Sequence, residues 1–225
     1  MEANDDEQYF FNFSFFKIDS KWRWMADLAK EESAREVENV IRNSGIKFRS
    51  YSNVGLRDDT EFLFWFAAKT VDEIQDVISK LYLTVFGKYI IPSQVYLSCT
   101  RPSIYARKGR TISFVAGNES KKYVIVYPFT KTREWYLLPR EQRQKMMDEH
   151  IDVSQKYPEV VLNTTYSFGL DDQDFMLAFE TDELRDFQNL IMDLRETKVS
   201  EYVQKDTPMI VCVKKEIQPL IASLG

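Results

Sequence analysis

Histidine is almost missing from this chain. Among 225 residues there is one, His150. Cysteine is nearly as scarce: Cys99 and Cys212 stand far apart with no CxxC, so neither a disulfide framework nor a zinc site is indicated. Both read as buried thiols in a reducing cytoplasm. With seven glycines and seven prolines, the chain lacks the composition of a disordered or low-complexity protein. No apolar run approaches the roughly 18 residues that cross a bilayer, and Met1–Glu7 is acidic, unlike a signal peptide, so neither membrane nor export is expected. Positive charge is in deficit too. A net charge of −5 offers no basic face to neutralise phosphates, and nucleic acid is excluded as a partner.

What the chain does have is a repeat. Gly55-Leu56-Arg57-Asp58-Asp59-Thr60-Glu61-Phe62 is echoed by Gly169-Leu170-Asp171-Asp172-Gln173-Asp174-Phe175, and the register then holds from Phe62 with Phe175 through Leu81 with Leu194 to Tyr89 with Tyr202. Each copy follows one pattern of periodicities. A β-branched or aromatic strand (9–18; 123–127) precedes an amphipathic helix (about 24–42; about 140–155) and a second strand (47–54; 160–168). After the Gly-Asp-Asp turn come a third strand (62–68; 175–180), a second helix (71–85; 182–195) and a closing strand (95–100; 209–213). Pro139 marks the start of one helix, and Asp182-Glu183 is expected to charge the first turn of another. The order β-α-β-β-α-β is the ferredoxin-like unit. The fold class is therefore α+β, two tandem ferredoxin-like units whose antiparallel sheets form a barrel-like core that removes exposed edges. The expected division is 1–100, a connector at 101–122 with several Lys and Arg, and 123–225.

Function is to be sought where the copies differ. Only the second carries Tyr127-Pro128-Phe129-Thr130-Lys131, Glu134-Trp135-Tyr136-Leu137-Leu138-Pro139 and the helix with His150, on a face shared with Met146, Met147 and Val153. An imidazole among apolar side chains needs a partner for its nitrogens. Iron, zinc or a backbone carbonyl would serve, and the carbonyl is the commonest solution. A neutral imidazole, a cation for carboxylates and aromatic walls are also the parts of a haem pocket. Equally, Tyr127, Trp135 and Tyr136 fit as core aromatics with polar tips at the surface, and Lys131 as a solvated cation.

The string from Tyr127-Pro128 through Trp135-Tyr136-Leu137-Leu138-Pro139, Glu141, Arg143, Met146-Met147, Glu149-His150, Asn163 and Gly169-Leu170-Asp171-Asp172 to Leu194-Arg195 resembles the chlorite dismutase superfamily. Within it, the resemblance is closer to the coproheme decarboxylases than to the true chlorite dismutases. It covers roughly 121–205; the first half matches in architecture alone.

The resemblance implies that His150 is the proximal iron ligand and that Tyr127 becomes the radical that abstracts hydrogen from a propionate. It places Lys131 and Trp135 at the propionate edge, with Arg195 and Ser200 holding propionate carboxylates. The implied cofactor is haem b or coproheme, with hydrogen peroxide as co-substrate. The implied reaction converts two propionates of iron-coproporphyrin III to vinyls, giving haem b and carbon dioxide, in a cytoplasmic ring of five subunits.

Two positions depart from the pattern. Thirteen residues after the proximal histidine, where true chlorite dismutases keep an arginine, stands Asn163, which lacks a charge for chlorite. Seventeen before Tyr127, where the actinobacterial decarboxylases use a histidine to deprotonate peroxide, stands Arg110, a guanidinium that cannot act as that base but could stabilise a hydroperoxide anion or a propionate. The alternatives are chlorite dismutase or weak peroxidase activity, a carrier that binds haem without turnover, and a structural member that has lost its cofactor.

Overall fold

Residues 8–105 and 112–225 are described by a computed structural model; Arg110 lies outside them. In chain order the elements are β1 (Phe10–Ile18), α1 (Asp27–Ser44), β2 (Lys47–Ser52), β3 (Phe62–Ala68), α2 (Val71–Leu83), β4 (Ile90–Cys99), α3 (Ser113–Ala116), β5 (Tyr123–Lys131), α4 (Arg133–Leu137), α5 (Arg140–Ser154), β6 (Val161–Tyr166), β7 (Phe175–Thr181), α6 (Leu184–Arg195), β8 (Val203–Lys205), β9 (Ile210–Lys214) and α7 (Ile217–Ala222). They fall into two compact units: residues 8–99 with 210–225, and residues 100–209.

In the first unit β1 lies between β3 and β4, and β2 flanks β3, all antiparallel. This is the ferredoxin-like strand order. The final strand β9 adds to β2 through Tyr51↔Lys214 and Ser52↔Val213, so the C-terminal segment groups here, across the expected boundary at 123. The Phe-rich runs of β1 and β3 are buried because β3 is paired on both edges and α1, α2 and α7 cover its face: Phe62, Phe64 and Phe66 meet Val37, Ile41, Val77, Leu81 and Leu220. A capping box starts α2, with Thr70 accepting from the Glu73 amide at 3.3 Å while Glu73 accepts from the Thr70 amide at 3.0 Å. Gly45 at φ 70 ends α1.

The second unit repeats the plan. β7 lies between β6 and β5, as β3 lies between β2 and β1, and β8 pairs with β5. The echoed turns are alike in three dimensions. Gly55 and Gly169 have φ 75 and 72, and the amides of Asn53 and Ser167 donate to the carbonyls of Glu61 and Asp174 at 2.9 and 2.8 Å. One helix start differs from expectation. Asp182 accepts from Lys121 Nζ at 2.8 Å and the Lys122 amide at 2.9 Å, so α6 begins only at Leu184 with Glu183 at its cap.

Candidate functional site

Strand pleating sorts the candidates onto faces, because directly paired residues point the same way and neighbours along a strand point oppositely. The rows Tyr127–Leu177–Thr164 and Ile125–Phe179–Leu162 share one face, and Val126–Ala178–Asn163 and Val124–Glu180–Val161 share the other. Tyr127 stacks on Phe179 at 5.9 Å and 8°, and Phe179 packs on Phe187 of α6 at 5.2 Å. The Tyr127 face is therefore the helix face. Beside α6, α5 is fixed by two polar ties: Tyr157 donates to Asp193 at 2.7 Å, and Glu149 accepts from the Lys198 amide at 3.2 Å.

On α5 no residue is fully buried. Arg143, Met146, Met147, His150 and Val153 form a half-buried stripe, and Leu162 and Thr164 on the sheet are half-buried too. The apolar face expected around His150 is present but incompletely covered. His150 Nδ1 is inaccessible to solvent and has no hydrogen-bond partner. Burial, and then the charge of Lys131, push the ring's pKa down to about 4 despite Glu149 nearby. The imidazole is thus neutral at pH 7 with no carbonyl bonded at Nδ1, unlike a satisfied core histidine. Nor does it belong to a zinc site, which needs three or four protein ligands: among the described residues no three His, Cys, Asp or Glu side chains converge. A lone neutral imidazole on a half-buried apolar stripe suits an axial ligand to an iron porphyrin.

Trp135, 1% exposed on the short helix after β5, is walled by Tyr202 at 5.5 Å and Tyr105 at 6.1 Å, with Lys131 Nζ 4.0 Å from its ring centre. The Lys131 ammonium makes no ion pair among the described residues. Its burial pushes its pKa down to about 8, only partly opposed by Asp174. That carboxylate is occupied, accepting at one oxygen from the Lys131 amide at 2.8 Å and from the Tyr136 hydroxyl at 2.7 Å.

Tyr127 is 3% exposed and its hydroxyl has no hydrogen bond among the described residues. Burial and then Asp206 hold its pKa above the usual tyrosine range, opposed by Arg195. Arg195 pairs with Asp206 at 2.9 Å. The Ser200 hydroxyl points to the carbonyls of Arg195 and Thr197 at 2.8 and 2.7 Å, closing the end of α6.

Tyr127, Lys131, Trp135, His150 and the Arg195–Asp206 pair are therefore brought to one side of the sheet. Asn163 is not. It points to the opposite face, 1% exposed, with Nδ2 donating to Glu180 at 2.9 Å and to the Ala178 carbonyl at 3.3 Å. Its Oδ1 accepts from the Ser113 hydroxyl at 2.9 Å. Both ends of the amide are taken by protein, and Leu162 and Thr164 are the β6 residues on the Tyr127 side. Sequence reasoning gave no role to Asp174 or Arg143. Asp174 was visible only as part of the echoed turn. Arg143 shares the α5 face with His150 at heptad spacing, and its Nε is buried without a partner.

Residues 30–215 match the family model described as chlorite dismutase. A coproheme decarboxylase of Mycolicibacterium smegmatis is 35% identical over 175 residues, covering 77% of this chain and 75% of that protein. Among solved structures, chlorite dismutase from Candidatus Nitrospira defluvii in complex with imidazole superposes with a TM-score of 0.87 at 25% identity, covering 96% of this chain and 94% of that one. A tryptophan-to-phenylalanine variant of that enzyme with cyanide, at 24% identity and a TM-score of 0.87 over 96% of this chain and 94% of that one, shows the same fold.

Proposed function

Because the chain belongs to the chlorite dismutase family, we propose that it binds an iron porphyrin through His150 and carries out the peroxide-dependent decarboxylation of iron-coproporphyrin III to haem b. The observation that carries this reading is the neutral, unpartnered imidazole of His150 on a half-buried helix face, beside a half-buried lysine with no ion-pair partner among the described residues. A porphyrin bearing carboxylates supplies what both lack: a Lewis acid for a ring nitrogen and an anion for the ammonium. Turning a propionate carboxylate into a vinyl releases carbon dioxide, a proton and two electrons, which with one further proton from solvent reduce one peroxide to two waters.

Bound iron and peroxide supply the oxidant; the chain's own groups supply position and a hydrogen relay. Lys131 pairs with a propionate carboxylate and, packed on Trp135, holds it in a fixed place. Tyr127 remains a phenol at every working pH. It relays one oxidising equivalent: the phenol passes an electron to the bound oxidant and its proton to solvent, and the phenoxyl takes a hydrogen atom back from the propionate β-carbon. The remaining electron goes to the oxidant's second equivalent as the bond to the carboxylate breaks and carbon dioxide leaves. The Arg195–Asp206 pair sets the electrostatics of that phenol. Chlorite decomposition is the less supported reading, because holding an oxyanion calls for fixed positive charge and β6 turns Leu162 and Thr164, not Asn163, to the helix face. The assembly is proposed to be a ring of five subunits, to be checked by native mass spectrometry.

Mixing the apoprotein with ferric coproporphyrin III is expected to give a Soret band that His150→Ala abolishes. Peroxide should then lower the porphyrin mass by two carbon dioxides in the wild type but not in Tyr127→Phe. Binding without any mass change would leave a carrier, and rapid oxygen release from chlorite would favour the dismutase reading.

A further inference from the structure

We infer that Arg143 is a second anchor for a ligand carboxylate, on the α5 side of the site, distinct from Lys131 on the sheet. The inference rests on the porphyrin-binding reading above and adds to it a residue. Arg143 lies seven positions before His150, two turns along the same helix face, about 10 Å by the rise of an α-helix. Its Nε is buried and makes no hydrogen bond, and its guanidinium forms no ion pair among the described residues. Three other arginines are neutralised by a carboxylate: Arg195 has Asp206 at 2.9 Å, Arg42 has Glu38 at 3.1 Å, and Arg57 has Asp59 at 2.6 Å.

A buried guanidinium nitrogen without an acceptor is costly, and Asp174, the carboxylate that shares the Tyr136 phenol's surroundings with Arg143, forms no ion pair with it and accepts instead from Tyr136 and the Lys131 amide. Arg143 lies close enough to the Tyr136 phenol to act on it electrostatically, so the guanidinium stands at the same end of the site as α4. Lys131 and Arg143 are thus two unpaired cations, one on the sheet and one on the helix, on the side of the unit that carries His150. A ligand with a single acidic edge group would need only one of them. A planar ligand carrying several carboxylates on its rim, with its centre at His150, can satisfy both. The planar fork of Arg143 suits a bidentate carboxylate contact that a lysine cannot reproduce.

The test is equilibrium binding of iron-coproporphyrin III to the full-length apoprotein, followed by tryptophan quenching and Soret absorbance. Arg143→Leu is expected to weaken binding about ten- to hundredfold, with Arg143→Lys in between and a shallower salt dependence in the leucine variant. Against the tetramethyl ester, which has no carboxylate, wild type and Arg143→Leu should bind alike, since the lost partner is absent from both sides of the cycle. The Arg143→Leu apoprotein should melt no lower than the wild type. Wild-type binding with an Arg143→Leu affinity within threefold of it, or an equal loss against the ester, would overturn the role of Arg143 while leaving porphyrin binding intact. Absence of a Soret band in the wild type would overturn both.

Discussion

The helices α1 and α5 hold the same place in the two halves of the repeat, each following the first strand of its unit, yet they are packed in opposite ways. α1 buries Ser33, Ala34, Val37 and Ile41 against a cluster of phenylalanines from β1 and β3. α5 buries nothing completely and leaves polar atoms of Arg143 and His150 without partners on its inner side. Folding of the first unit is driven by aromatic burial that its own side chains complete. In the second unit the same architecture stops short, and what is missing is both apolar surface and negative charge. One copy keeps a closed core, and the other trades packing for a receptive face.

The sharpest way to break that comparison is to truncate one buried side chain in each. Phe64, fully buried, replaced by Ala should cost about 3–5 kcal/mol, read from urea unfolding of the apoprotein. Met147→Ala on the half-buried stripe of α5 should cost under about 1 kcal/mol. Comparable losses at the two positions would mean that α5 is as well packed as α1. Saturating iron porphyrin should widen the effect of Met147→Ala, because the ligand supplies the surface that the side chain then packs on, and ligand at a hundred times its Kd adds about 2.7 kcal/mol of stability.

Asn163 sharpens the same contrast across a single sheet. Its amide is saturated by Glu180, Ala178 and Ser113, so Asn163→Leu should destabilise the apoprotein by about 2–3 kcal/mol through the buried hydrogen bonds it removes from those three partners. Affinity for iron porphyrin should be unchanged, as titration would show; a large loss of affinity at full folding would place this side chain on the ligand side after all. Counting thirteen residues from His150 led to Asn163 because spacing along the chain carries no information about faces. Between α5 and β6 lies a loop, and one residue more or less in it turns every side chain of the strand over. Within a strand or turn the sequence was far more legible. The aromatic and apolar runs and the echoed Gly-Leu turn set β3, β7 and both positive-φ glycines, and the confinement of His150, Lys131, Trp135 and Tyr127 to one copy marked the side that holds them. Arg143 stands in the string that carries the resemblance but was given no role, because an arginine on an amphipathic helix ordinarily reads as a solvated charge, and only three-dimensional burial distinguishes it. The grouping of residues 210–225 with the first unit is likewise a matter of pairing, between Ser52 and Val213, that no local signal announces.

The smallest expected effect is the pH dependence of the apoprotein, and it tests the missing anion directly. His150 titrates ordinarily near 6.5 and here at about 4, so its neutral form adds stability that is present above pH 6.5 and lost as pH falls through 4. Lys131 is depressed from 10.5 to about 8, so its neutral form adds stability that is present above 10.5 and lost as pH falls through 8. At pH 7 the lysine is charged, desolvated and a net liability. Urea midpoints should therefore fall more steeply between pH 6.5 and 4 in the wild type than in His150→Gln. They should also show a gain between pH 8 and 10.5 that is missing in Lys131→Met, which should be the more stable apoprotein at neutral pH. A bound carboxylate against the ammonium restores its proton affinity, so with iron-coproporphyrin III present the gain above pH 8 should disappear. If that gain persists unchanged in the complex, Lys131 does not face the anionic rim, and the division between a closed first unit and an anion-seeking second one loses its electrostatic half.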